Sequence, residues 1–180
     1  MASSGNEHTL FLPDETATET LGRALAAAVK AGGQGATVFL RGTLGMGKTT
    51  LSRGVMRGMG HEGAVKSPTY TIVEPYEHLE PMVYHFDLYR LGDPEELEYL
   101  GIRDYFGTSS LCLIEWAERG EGVLPGPDIE VTLDPEGEGR RVVLTSHTPL
   151  GAQLLKNLRA TDRAGNESGI LQKVDVDAGT

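Results

Sequence analysis

Gly42-Thr43-Leu44-Gly45-Met46-Gly47-Lys48-Thr49-Thr50 has the spacing G-x-x-x-x-G-K-T, the pattern of a polyphosphate-binding loop. Its glycines let the backbone wrap phosphates closely. Amide N–H groups converging on the start of a helix then attract the anion by hydrogen bonding and by the helix dipole. In that chemistry Lys48 reaches the β- and γ-phosphates and the Thr49 hydroxyl holds Mg²⁺, while Gly42, Gly45, Met46, Gly47 and Thr50 complete the cradle. A glycine-rich loop can match the pattern by chance. Here the match follows the apolar run Ala36-Thr37-Val38-Phe39-Leu40 and opens a helix-like segment, which is the context the chemistry needs.

Two carboxylates are placed to serve such a loop. Glu115 ends the run Ser110-Leu111-Cys112-Leu113-Ile114, so it sits where a buried strand would deliver a Mg²⁺-binding acid beside the phosphates; a solvent-facing strand end fits four preceding apolar residues less well. Trp116 comes next and packs either against the nucleotide or a partner, or into the core. In His85-Phe86-Asp87, alternation puts His85 and Asp87 on one face of a strand. Asp87 there could order Mg²⁺ through water or orient the attacking water, or it could be a hydrogen-bonded acid with a structural role. A separate metal centre on His85 and Asp87 lacks further ligands at recognisable spacing. The hydroxyls of Ser67-Pro68-Thr69-Tyr70-Thr71 could sense a γ-phosphate as a switch loop does, but spacing alone favours an ordinary Ser-Pro turn leading into a strand. No N-K-x-D or T-K-x-D element for guanine is present, and the D-x-x-G matches at 104–107 and 134–137 are short coincidences, so ATP is the expected nucleotide.

The elements that must position these groups can be read from the punctuation. His8-Thr9-Leu10-Phe11-Leu12 reads as a strand, and Asp14 caps a helix over residues 16–30 that Gly32-Gly33 ends. The loop helix spans residues 48–59 and stops near Gly60; the Gly54/Gly58 spacing inside it points to close helix packing. Residues 69–76 and 82–89 are strand-like, with a connection too short for a crossover helix, so they pair as an antiparallel hairpin. Asp93-Pro94-Glu95-Glu96 starts a helix, and residues 128–133 and 141–145 form a second hairpin around 135–139. A last short helix covers 150–158. The chain beyond about Thr161 is polar, without sustained periodicity, and is expected to be a mobile tail after one domain of residues 1–160.

With 180 residues, 39% of them hydrophobic, the chain is long enough for one domain with a real core. The balance of 16 basic and 26 acidic residues, net −10, opposes unaided binding to nucleic acid, whose affinity comes from neutralised phosphates. The single cysteine, Cys112, reads as a small core residue of a reduced, cytoplasmic protein. No signal peptide or membrane span is recognisable, so cytoplasm without membrane association is the expectation.

Taken together, the loop at 42–50, Ser67-Pro-Thr-Tyr-Thr-Ile-Val73, His85-Phe-Asp-Leu-Tyr-Arg90 and Ile114-Glu-Trp116 resemble the bacterial TsaE (YjeE) family, with the same order of motifs over residues 10–158, including Asp93-Pro-Glu-Glu-Leu97 and Gly101-Ile-Arg-Asp-Tyr105. The resemblance implies an α/β fold of the P-loop NTPase type, with a parallel central sheet flanked by antiparallel strands. It implies a Mg²⁺-dependent ATPase needed to modify tRNAs reading codons that begin with A with threonylcarbamoyladenosine. The implied partners are the TsaD and TsaB proteins, whose complex it resets, and tRNA is met only through them. By the same resemblance Lys48, Asp87 and Glu115 are catalytic, Thr49 and Glu115 bind the metal, Ser67 and Thr69 are switch residues, and Glu15 and Arg140 lie in nucleotide-contacting segments. A small-molecule or nucleotide kinase is the alternative, but no Arg-rich lid segment is evident for it. A nucleotide-binding regulator without turnover is opposed by the presence of both Glu115 and Asp87.

Overall fold

The computed structural model describes residues 6–42, 47–66, 68–107, 109–165 and 172–173. Its strands are β1 (Glu7–Leu12), β2 (Ala36–Arg41), β3 (Val73–Tyr76), β4 (Met82–Asp87), β5 (Ser110–Glu115), β6 (Ile129–Glu136), β7 (Gly139–Ser146) and the two-residue β8 (Gln172–Lys173). The helices are α1 (Glu15–Gly32), α2 (Lys48–Met59), α3 (Glu96–Tyr99) and α4 (Pro149–Gly165), with 3₁₀ turns at Ile102–Tyr105 and Ala117–Gly120.

The strands form one mixed sheet in the order β3-β4-β5-β2-β6-β7-β1-β8. Its centre, β4-β5-β2-β6, is parallel, and β3 on one side and β7 and β1 on the other are antiparallel to their neighbours. This is the α/β architecture expected from the motifs. β5 is buried along its whole length, so it carries apolar side chains to both faces. Leu111 and Leu113 join Val38, Leu40 and Val83 in the core under α1, α2 and α4. Cys112 and Ile114 join Phe39, Tyr84 and Phe86 in a second core, which Leu97 of α3 and Ile102 close. Cys112 donates its thiol to the Tyr105 carbonyl at 3.2 Å, and burial pushes that thiol up to about 12.

α1 begins where Asp14 accepts the Ala17 N–H at 2.9 Å, and it ends at Gly33 in the left-handed region. α2 packs against it at glycine spacing. A Cβ on Gly54 would lie 2.2 Å from the Glu19 carbonyl oxygen, and one on Gly58 would lie 2.7 Å from the Ala26 Cβ. The Gly54/Gly58 spacing therefore serves close helix contact. Because the obstacle at Gly54 is backbone, Gly54→Ala must push the two helices apart. It is expected to cost about 1–3 kcal/mol, read as a lower urea midpoint. An unchanged midpoint would contradict the packing described.

Several boundaries differ from the expectation, each for a local reason. β3 starts at Val73, not at Thr69, because Ile72 takes a left-handed φ of 73° and donates its N–H to the Pro68 carbonyl, making a turn of residues that read as strand. β4 ends at Asp87, short of Tyr89, where the Asp87 carboxylate accepts the Tyr89 N–H and turns the chain. Asp93 starts a single helical turn only. The β6–β7 hairpin is longer and tighter than 135–139 implied: Glu136 pairs with Gly139 across Gly137-Glu138, with Gly137 at φ 61°. α4 runs to Gly165, beyond Leu158, and β8 pairs with β1. Among the described residues, no helix is long and apolar enough to cross a membrane.

Candidate functional site

Register brings the candidate groups to one edge of the sheet. Glu115 at the end of β5 is level with Leu40 of β2 on one side and with Asp87 of β4 on the other. All three strands are parallel, so their carboxyl ends open together, which is where open α/β sheets place ligands. Alternation turns His85, Asp87 and Glu115 toward the face that α2 covers, the face of Val83, Leu111 and Leu113. β2 exits through Gly42, and α2 starts at Lys48 behind Gly47. Gly45 and Met46, also expected in the cradle, lie outside the described residues, as does Ser67.

Gly47 caps α2 with φ 101°, a conformation that favours glycine, and offers no side chain to the first N–H groups of the helix. A Cβ at this position would also meet Nε of Arg140 at 3.3 Å. Arg140 enters from the start of β7, and its Nε is buried with no hydrogen-bond partner among the described residues. A guanidinium beside a bare helix N-terminus makes this corner favourable to an anion. Thr49 is exposed and Thr50 buried in the first turn of α2. Glu15, exposed at the start of α1, belongs to the neighbouring junction at this edge, where Leu12 pairs with Arg140.

Lys48 is 6% exposed. Its ammonium lies 4.2 Å from the ring centroid of Trp116, which leaves β5 with a left-handed φ of 60°. Burial pushes the Lys48 amine below its ordinary lysine value, while the charges of Glu115, Asp87 and Glu118 oppose that shift. Trp116 also packs against Tyr89, at 4.9 Å between centroids.

Both carboxylates are buried and held. Asp87 accepts the Tyr89 N–H on Oδ1 at 2.9 Å and the Thr69 hydroxyl on Oδ2 at 3.3 Å, so the expected switch segment is tied directly to the acid. Glu115 Oε2 lies 2.8 Å from His85 Nε2. Arg41, just before the loop, bonds Glu130 and Glu118, and His147 also bonds Glu130. Burial pushes the Glu130 carboxyl up, but Arg41 and His147 outweigh that and hold it below the ordinary value.

The pairings His85–Glu115, Lys48–Trp116 and Arg140–Gly47 escaped sequence reasoning because each joins separate elements. The alternation that put His85 beside Asp87 was the one available signal. The hard oxygen donors of Thr49, Asp87 and Glu115 suit Mg²⁺ better than a soft metal. Among the described residues no three His, Cys, Asp or Glu side chains cluster to hold a metal unaided.

The family profile described as "Threonylcarbamoyl adenosine biosynthesis protein TsaE" matches residues 12–143. The tRNA threonylcarbamoyladenosine biosynthesis protein TsaE of Haemophilus influenzae is 58% identical over 118 residues, 66% of this chain and 75% of that protein. The Bacillus subtilis protein of the same name is 36% identical over 131 residues, 73% and 78% of the two chains. The crystal structure of Bacillus subtilis YdiB matches with a TM-score of 0.73 at 26% identity, covering 87% of this chain and 96% of that one. With its motifs gathered at one sheet edge and the profile spanning most of its length, the chain belongs to the TsaE family of tRNA threonylcarbamoyladenosine biosynthesis proteins.

Proposed function

We propose that this protein is a Mg²⁺-dependent ATPase of the P-loop type. It acts in the cytoplasm with the TsaD–TsaB complex and resets that complex during threonylcarbamoyladenosine modification of tRNAs reading codons that begin with A. The observation that carries this reading is the level pair Asp87 and Glu115 at the strand ends, with the buried Lys48 ammonium in the field of both.

In this reading residues 42–50 and the α2 N-terminus bind the phosphates, with Arg140 and the Glu15 junction at the nucleoside side. Lys48 leaves its stack on Trp116 to neutralise the β- and γ-phosphates. Thr49 and Glu115 hold Mg²⁺, which when bound supplies Lewis acidity to the phosphoryl oxygens. Asp87 orients the attacking water. Movement of Thr69 toward a γ-phosphate takes its hydroxyl from Asp87 Oδ2 and frees that oxygen, which couples the switch segment to the acid.

A net charge of −10 in a tRNA-modification family supports a reading in which tRNA contact is left to the partners. Free tRNA should therefore bind poorly at physiological salt, whereas the TsaD–TsaB pair should bind more tightly with an ATP analogue than with ADP or no nucleotide. Reciprocity then requires the pair to raise affinity for the analogue. Tight binding to tRNA alone, with no nucleotide-sensitive association with the pair, would reject the helper role.

A further inference from the structure

His85 lies in the middle of β4, is 2% exposed, and faces the α2 side of the sheet with Asp87. Its ring is fixed by a strand paired on both edges, to β3 at Glu74 and to β5 at Leu113. From there Nε2 reaches diagonally to Glu115 Oε2 at 2.8 Å. An ionised carboxylate can only accept, so the hydrogen sits on Nε2. The other ring nitrogen, Nδ1, is buried without a hydrogen-bond partner among the described residues. Here the ring spends its single good hydrogen bond on one oxygen of one acid.

We propose that His85 is a positioning residue for Glu115: its Nε2–H holds Oε2 and so fixes the carboxylate with Oε1 directed to the cation. The proposal rests on the reading of Glu115 as the Mg²⁺ carboxylate. Partners that orient a ligand from behind commonly change metal affinity by about 10- to 100-fold when removed.

The test compares His85→Leu, which removes the donor, with His85→Gln, whose Nε2–H can occupy nearly the same place. The readout is equilibrium binding of a non-hydrolysable ATP analogue titrated with Mg²⁺ and repeated in EDTA, with a urea midpoint for each protein. His85→Leu is expected to need roughly tenfold more Mg²⁺ at half-saturation, with binding in EDTA unchanged and a urea midpoint that falls because Glu115 Oε2 loses its partner but still shows a folded protein, and His85→Gln to recover most of the Mg²⁺ shift. Should His85→Leu fail to fold, His85→Asn, too short to reach Oε2, takes its place. A wild-type Mg²⁺ requirement in the donor-less variant, or an equal shift in His85→Gln, overturns the positioning role. Glu115→Gln run in parallel separates the two failures. If it shifts the Mg²⁺ requirement and His85→Leu does not, only the role of His85 falls; if it does not, the Glu115 reading falls and takes His85 with it.

Discussion

Lys48→Ala is expected to lower ATP turnover by about 10²- to 10³-fold, roughly 3–4 kcal/mol of transition-state stabilisation. The reason is the ammonium's location. It is buried at the start of α2, in the field of Glu115 and Asp87, and its nearest described ring is Trp116, a contact it can give up for phosphate. Losing the ammonium relieves its desolvation but takes the opposing charge away from Glu115 and Asp87, so the variant is expected to fold with a lower melting temperature. Phosphate release and a thermal melt on the same sample check both halves. Wild-type ATP affinity and turnover in a folded Lys48→Ala protein would contradict the assignment. The pH profile gives a second readout. Because burial favours the neutral amine, wild-type activity should begin to fall on the alkaline side below 10.5, the ordinary lysine value.

Glu115→Ala is expected to reduce Mg²⁺-dependent hydrolysis by about 10²-fold while leaving much of the nucleotide affinity, since backbone N–H groups of the loop and of α2 hold the ground state. This substitution also strands the His85 Nε2–H in a buried position, at about 1–3 kcal/mol of stability. Glu115→Gln keeps an acceptor for His85 and removes the charge, so it separates the catalytic loss from the structural one. If Glu115→Gln hydrolysed ATP at the normal rate with the normal metal requirement, Asp87 or another acid would have to carry the metal.

The parts of this site that could be read in the sequence are those written in local chemistry. Gly47 and Gly60 bracket α2, Asp14 announces α1, and the apolar run before Glu115 marks β5 as a strand buried on both faces. The short connection between residues 76 and 82 forced β3 and β4 antiparallel. What could not be read depends on contacts between distant segments or on backbone that defies its side chain. Ile72 is β-branched and lies among the strand-forming Tyr70, Thr71 and Val73, so it reads as strand. Its left-handed φ is imposed by the turn that brings Thr69 back to Asp87. Likewise, nothing in the spacing of Lys48 and Trp116, or of Gly47 and Arg140, places one against the other. Those neighbours follow from the strand order β5-β2-β6-β7, a property of the whole sheet. His85 was visible as a neighbour of Asp87, but its partner is Glu115 on the next strand.

Whether this sheet edge hydrolyses ATP in the service of a partner complex is decided by phosphate release from Mg²⁺-ATP, measured with and without purified TsaD and TsaB. Release is expected to need Mg²⁺, to rise when both partners are added, and to disappear with Lys48→Ala while that variant remains folded. Release that ignores the partners and survives Lys48→Ala, or no Mg²⁺-dependent release under either condition, would contradict it.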